Sequence, residues 1–96
     1  MARRPSPRKV VSSLHGEEYQ RFIAMLVKRR TDAKLTQQEV ADRLGWSQSQ
    51  VAKVEKHERR IDIIELIALA SAVGFDVVPL VEETRAMMRR AGKLRK

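Results

Sequence analysis

The first regular pattern of apolar positions begins after Gly16. Four large apolar residues there stand at positions i, i+3, i+4 and i+7, namely Tyr19, Phe22, Ile23 and Leu26. This spacing places them on one face of an α-helix and predicts an amphipathic first helix from Glu17 to about Arg30. Residues 1–16 have no such period and contain prolines, serines and arginines, which predicts a flexible arm.

Three later segments begin with the same helix-start signal. In each, a residue with a small oxygen-bearing side chain stands three positions before Glu or Gln, a capping box that satisfies free backbone amides at a helix start. The pairs are Thr36 with Glu39, Ser47 with Gln50, and Asp62 with Glu65. They predict helices near residues 37–44, 48–56 and 63–73, and Asp76 can cap a fifth helix.

The second and third predicted helices are separated by a very short turn. Gly45 adopts a left-handed backbone at low cost and ends the second helix, and the third begins about three residues later. Inward-facing positions on the two helices are expected at Val40, Ala41, Leu44, Val51 and Val54. The small Ala41 lets the two backbones approach closely, and Trp46 is expected to cover their junction. The pattern predicts a helix-turn-helix.

The segment 61–73, IDIIELIALASAV, is apolar nearly all round, which predicts a helix buried on more than one side. In the fifth helix, five residues are expected to face the core or a second subunit: Leu80, Val81, Thr84, Met87 and Met88. Aromatic residues make up only 4% of the chain, which favours an aliphatic, all-α core over a β-sandwich. The sequence therefore predicts a compact all-α bundle of five helices.

The net charge of +8 is concentrated at the two ends of the chain. The arm at 1–16 and the basic helix end and disordered tail at 85–96 contain no acidic residue, whereas the predicted domain at 17–84 carries a net charge of −2. A basic chain indicates a polyanionic partner, with nucleic acid ahead of an anionic membrane surface. The ends can supply non-specific attraction to phosphates, so recognition of a base sequence must come from the middle of the chain.

Several classes of protein are excluded by what the sequence lacks. There is no cysteine, which excludes a disulfide framework, a thiolate zinc site and a cysteine nucleophile. No apolar run approaches the roughly 18 residues of a membrane span, and the basic amino terminus is not a secretory signal, so a cytoplasmic, nucleoid-associated protein is expected. His15 and His57 lack metal-ligand spacing, and no catalytic constellation is present. We expect no enzyme activity, cofactor, metal or small-molecule ligand.

The stretch LTQQEVADRLGWSQSQVAKVEK, residues 35–56, carries a set of spaced motifs. It opens with Leu-Thr-Gln, continues with Glu-(apolar)-Ala and a turn glycine, and has Ser-Gln at the start of the third helix and (apolar)-x-x-(apolar)-Glu at its end. In these motifs the chain resembles, over residues 17–81, the Cro and phage-repressor type of helix-turn-helix domain, the xenobiotic-response-element family. The resemblance implies a lambda-repressor-like fold whose third helix enters the DNA major groove.

The resemblance also implies site residues. Base contacts are implied for Gln48, Ser49 and Lys53, since glutamine suits adenine N6 and N7 and lysine suits guanine O6 and N7. Gln37 is implied to contact phosphate at the start of the second helix and to brace Gln48. Further phosphate contacts are expected from residues in or beside the same segment: Arg43, Ser47, Gln50, Lys56, His57, Arg59 and Arg60. Three arginines of the arm can enter a flanking minor groove or merely keep the chain in solution: Arg3, Arg4 and Arg8.

Two further implications concern structure. Arg30 and Glu55 align with a buried ion pair that ties the first helix to the end of the third. The chain departs from the family at Lys34, where a glycine is usual, and at Lys56-His57, where Asn-Gly or Arg-Gly is usual. Trp46 replaces a small aliphatic residue, and we interpret it as a hydrophobic plug rather than a base-stacking residue.

These observations favour a transcriptional repressor that binds a palindromic operator in double-stranded DNA as a homodimer, with recognition helices roughly 34 Å apart. One alternative is the antitoxin of a toxin–antitoxin module, which binds a toxin protein and regulates its own operon. For that function, the stretch Met87-Met88 with its basic tail is the candidate docking segment. An architectural DNA-binding protein is the other alternative.

Overall fold

The computed structural model describes residues 16–95 as five α-helices, with no strand in that range. The helices are α1 Glu17–Asp32, α2 Gln37–Leu44, α3 Gln48–Glu55, α4 Ile63–Val73 and α5 Val77–Arg90. This architecture confirms the predicted all-α, five-helix fold. The predicted bounds of α2 and α4 are the observed ones, α1 ends two residues later than expected, and α3 ends one residue earlier.

The predicted capping residues begin the helices. The Thr36 hydroxyl accepts a hydrogen bond from the backbone N–H of Glu39 at 3.0 Å, and the Glu39 carboxylate accepts one from the Thr36 N–H at 3.0 Å. The bond from the Thr36 N–H to the carboxylate holds the pKa of Glu39 below its usual range. The same reciprocal bonds begin α3 and α4, and the Asp76 carboxylate accepts from Val78 at the start of α5. Local side-chain chemistry therefore fixes where four of the helices start.

The core lies where all five helices meet. Its buried members are Ile23, Leu26, Val40, Ala41, Val51, Val54, Leu66, Leu69, Val73 and Leu80. Ala41 is completely buried, which fits the close approach expected between α2 and α3, whereas Leu44 is only half-buried. Trp46 is half-buried and packs against this core from the turn. The α2–α3 pair is thus held to the rest of the domain by aliphatic packing.

The fourth helix is less buried than its composition predicts. One side of α4 packs into the core, but the side chains of Ile63, Ile64 and Ile67 are 59%, 72% and 50% exposed. The expectation of a helix buried on more than one side is therefore wrong for the described chain, because its opposite side has no neighbouring element to cover it. We call these three residues the α4 isoleucine face.

The carboxyl-terminal residues also differ from the sequence-based expectation. The sequence predicts a disordered basic tail after α5, but Lys93 Nζ lies 2.8 Å from Glu18 Oε2, and both side chains are largely buried, with 18% and 16% exposed. This ion pair ties Lys93, which follows the end of α5, to the start of α1. The helix itself runs through the predicted boundary at residue 84, and Met87 is buried.

Two loops use a left-handed residue that is not glycine. Lys34, after α1, has φ 58°, and His57, after α3, has φ 62°. Each begins the chain reversal that ends a helix: Leu35 N–H donates to Arg30 O at 3.2 Å, and Glu58 N–H donates to Lys53 O at 2.8 Å. These are the bonds of a Schellman motif, in which the left-handed position favours glycine. The loop geometry typical of glycine is therefore kept without glycine at either position.

We expect a Lys34→Gly variant to be more stable than the wild type by about 0.5–1 kcal/mol. A left-handed backbone costs a non-glycine residue about 1–2 kcal/mol, and replacing lysine by glycine removes this cost. Part of the gain is lost because glycine has more conformational freedom in the unfolded chain. Urea denaturation measures the change. Lys34→Ala is the matched control, because it removes the same charge and keeps Cβ. Equal stability of the two variants would show that strain at this position is negligible.

Candidate nucleic-acid interface

The turn between α2 and α3 sets the position of α3. Gly45 takes φ 71°, and Trp46 N–H donates to Ala41 O at 2.9 Å, which closes the end of α2. Ser47 then caps α3, so the new helix starts at once. Buried Val51 and Val54 fix the inner side of α3 against the core. The outer side is left exposed at its amino-terminal end.

The three residues implied to contact bases lie on that outer side. Gln48, Ser49 and Lys53 are all exposed, and Lys53 follows Ser49 by one helical turn. The structure thus brings together, on one accessible helix face, an amide, a hydroxyl and an ammonium group. These groups can donate to or accept from base edges in a major groove.

A chain of hydrogen bonds runs inward from Gln48. Its Nε2 donates to Gln37 Oε1 at 2.6 Å, and Gln37 Nε2 donates to Glu55 Oε1 at 2.7 Å. Arg30 completes the chain by donating from Nε to Glu55 Oε2 at 2.6 Å and from Nη2 to Glu55 Oε1 at 2.9 Å. Gln37 therefore contacts Gln48 in the manner that the resemblance implies for a bracing residue.

The Arg30–Glu55 ion pair joins α1 to the last turn of α3. The two side chains are only 15% and 13% exposed, and Arg30 Nη1 also donates to the carbonyl of Leu35 at 2.8 Å. The guanidinium thus ties together the loop after α1 and the end of α3. We call the chain of side chains from Arg30 through Glu55 and Gln37 to Gln48 the polar chain.

The residues expected to contact phosphate lie in different surroundings. Ser47 and Gln50 form the cap of α3, and Arg43 Nη1 donates to the carbonyl of Ala72 at 2.7 Å, although Arg43 is exposed. Lys56 is exposed at the end of α3. Lys56 is therefore an accessible cation next to the recognition helix, whereas the side chains that cap α3 or bond α4 are already engaged.

Arg59 contacts several groups within the domain. Its guanidinium lies 4.7 Å from the centroid of the Trp46 ring and donates to both carboxylate oxygens of Glu65, at 2.7 and 3.3 Å. These hydrogen bonds raise the pKa of Arg59 and lower the pKa of Glu65 from their usual values. Trp46 is covered by this arginine, an arrangement that fits the plug interpretation. A phosphate contact from Arg59 would have to compete with Glu65.

Tyr19 is a site residue that the sequence did not reveal. Its hydroxyl accepts a hydrogen bond from the Ile61 N–H at 3.2 Å, and the guanidinium of Arg60 lies 5.1 Å from its ring centroid. The His57 ring meets the same ring edge-on, with centroids 6.5 Å apart. Tyr19 therefore anchors the loop after α3. Its only sequence signal was its place on the apolar face of α1, which does not distinguish it from core residues.

The three arginines expected to contact a minor groove, Arg3, Arg4 and Arg8, lie outside the described residues 16–95. Within that range, no helix is both long and apolar enough to cross a membrane.

Comparisons with known proteins agree with this geometry. The family model for the helix-turn-helix matches residues 26–80, more than half of the chain. A solved structure, described as an XRE-family like protein from Pseudomonas syringae pv. tomato str. DC3000, is 39% identical, with a TM-score of 0.72 over 77% of this chain and 90% of that chain. No curated protein matches. The chain therefore belongs to the XRE type of helix-turn-helix family and is a DNA-binding transcription regulator.

Proposed function

We propose that the chain is a repressor that binds a specific, two-fold symmetric operator as a homodimer and acts by occupying that DNA. The observation that carries the proposal is the exposed amino-terminal face of α3, where Gln48, Ser49 and Lys53 lie together and Gln48 is held by Gln37. A preorganised side chain loses little freedom on binding, which favours discrimination between bases. The chain acts by binding rather than by catalysis.

The base contacts follow from the chemistry of the α3 face. Gln48 can bond adenine through N6 and N7, Lys53 can donate to guanine O6 and N7, and Ser49 can donate or accept. Gln37 stands at the first turn of α2, where the free N–H groups and the helix dipole favour a phosphate. Lys56 and Arg60, both exposed, add further phosphate contacts near the end of α3.

The basic ends of the chain supply further affinity in this proposal. The region 17–84 carries a net charge of −2, so attraction to DNA needs cations from elsewhere. In this proposal, Arg3, Arg4 and Arg8 of the arm add phosphate or minor-groove contacts. These contacts do not depend on base sequence, since phosphates carry no sequence information.

The α4 isoleucine face supports the homodimer. Three isoleucines in the first two turns of this helix are exposed to water in the monomer. An exposed apolar patch of this kind is typical of a protein–protein contact surface. The face follows directly on the loop after α3, so a second copy docked there would lie beside the DNA-binding surface. A symmetric pair then presents two α3 helices to successive major grooves, roughly 34 Å apart.

Selection of duplexes from a randomised DNA pool tests the proposed function. At about 0.15 M salt, the wild type is expected to enrich a two-fold symmetric sequence with a fixed half-site spacing. Sequencing of the bound pool gives the result. Binding without enrichment of any sequence would overturn the proposal and favour an architectural protein.

The same selection tests the dimer surface. An Ile64→Asp variant is expected to be monomeric in analytical ultracentrifugation and to enrich a single half-site, since a charge on the apolar face opposes docking. Ala24→Asp, at an exposed position of α1, adds the same charge as a control and is expected to behave as the wild type does. A two-fold consensus from the Ile64→Asp variant would contradict the assignment of the interface.

The antitoxin alternative has one structural feature in its favour. Met88 lines an apolar groove together with Phe22, Leu66 and Val81, and such a groove suits an apolar segment of a partner protein. Met87, the other methionine of the candidate docking segment, is buried in the domain and has little surface to offer. The groove is therefore weaker support than the α3 face provides for the operator-binding function.

A further inference from the structure

We infer that Glu55 and Gln37 determine which base Gln48 accepts, because they fix the direction in which the Gln48 amide points. The inference rests on the proposed function and names a specificity determinant that does not itself touch DNA, Glu55. It is argued from the order of donors and acceptors along the polar chain.

At the inner end of the polar chain, only one arrangement of hydrogen-bond donors and acceptors is possible. A guanidinium can only donate hydrogen bonds and an ionised carboxylate can only accept them. Arg30 donates to both oxygens of Glu55, at 2.6 and 2.9 Å, so the carboxylate is held in place as an acceptor. Any group that bonds Glu55 from the other side must therefore be a donor.

Gln37 is that group, and its orientation follows. Its Nε2 lies 2.7 Å from Glu55 Oε1, so its own oxygen is turned toward Gln48. The reverse orientation would place the Gln37 oxygen against a carboxylate oxygen at hydrogen-bond distance, which leaves two acceptors facing each other. The Arg30–Glu55 pair thus fixes which end of the Gln37 amide donates and which end accepts.

The orientation of the Gln48 side-chain amide is then fixed as well. Its Nε2 must donate to Gln37 Oε1, at 2.6 Å. One N–H and the amide oxygen remain for DNA. A donor beside an acceptor matches adenine, which presents the N7 acceptor and the N6 donor, whereas guanine presents two acceptors, N7 and O6. The polar chain therefore selects adenine and rejects guanine at the base that faces Gln48.

A donor-only residue at position 37 tests the inference by reversing the chain. In Gln37→Lys, the ammonium donates to Glu55 and to the Gln48 oxygen, so Gln48 turns both N–H groups toward the base. The variant is expected to prefer guanine over adenine by about tenfold at one base pair of the selected duplex. That base pair is identified as the one at which the Gln48→Ala variant shows no base preference. Gln38→Lys adds the same charge at the next, exposed residue and is expected to keep adenine.

Selection from a randomised duplex pool with the wild type and all variants measures the base preference at that position. Gln37→Met, whose thioether cannot donate and accepts only weakly, is expected to accept adenine and guanine within about twofold of each other. An adenine preference of wild-type strength in Gln37→Lys or in Gln37→Met overturns the inference while the operator-binding function stands. If the wild type enriches no sequence, the proposed function fails and the inference fails with it.

Discussion

A Glu55→Ala variant is expected to unfold about 3 kcal/mol more easily than the wild type. The substitution leaves the guanidinium of Arg30, which is only 15% exposed, without its carboxylate, and removing one partner of a poorly solvated ion pair costs about 3–5 kcal/mol. It also removes the acceptor of Gln37. Because a small domain has about 5–15 kcal/mol of stability in total, the loss is a large fraction of it.

Urea denaturation followed by circular dichroism measures this loss, and Glu82→Ala is its matched control. Glu82 also pairs with an arginine, Arg85, but their side chains are 56% and 54% exposed. Exposed ion pairs contribute about 0–1 kcal/mol because water and salt screen them. If Glu55→Ala were as mild as Glu82→Ala, the ion pair at the end of α3 would have no special role in holding the helix.

The second large effect is expected on DNA binding. Gln48→Ala should weaken binding to the selected duplex by about 1–3 kcal/mol and leave binding to random duplex nearly unchanged, because only a base contact distinguishes the two. Fluorescence anisotropy titrations with both duplexes measure the difference. Unlike Glu55→Ala, this substitution removes an exposed side chain and should leave the unfolding free energy within about 0.5 kcal/mol of the wild type.

Gln38→Ala is the control for this prediction, since Gln38 is an exposed glutamine of α2 that bonds Asp42 at 2.8 Å. It is expected to bind both duplexes as the wild type does. Equal losses of Gln48→Ala on selected and random DNA would mean that Gln48 contacts the backbone rather than a base.

The helix starts could be predicted from sequence because the signals are local. Thr36, Ser47 and Asp62 each bond the residue three positions later, so a short stretch of sequence contains both partners. The helix ends were less predictable. Lys34 and His57 take a conformation that sequence normally marks with glycine, and neither residue type carries that signal.

Contacts between distant residues were the hardest to predict. The bond from Ile61 to Tyr19 spans 42 positions, and nothing in the local pattern relates the two. The Arg30–Glu55 pair spans 25 positions and was expected only because of the family resemblance. The exposure of the α4 isoleucines could not be foreseen either, since hydrophobicity shows which residues avoid water but not whether the same chain supplies a neighbour to cover them.

The two ends of the polar chain differ in how freely they can change during evolution. Glu55 and Arg30 bear on folding as well as on the orientation of Gln48, so substitutions there carry a penalty in stability before any new operator is gained. Gln37 and Gln48 lie at the outer end, where Gln48 is exposed and Gln37 only half-buried. Under the proposed base contacts, a descendant of this protein therefore acquires a new target most readily by changes at positions 37 and 48, while the Arg30–Glu55 pair is retained.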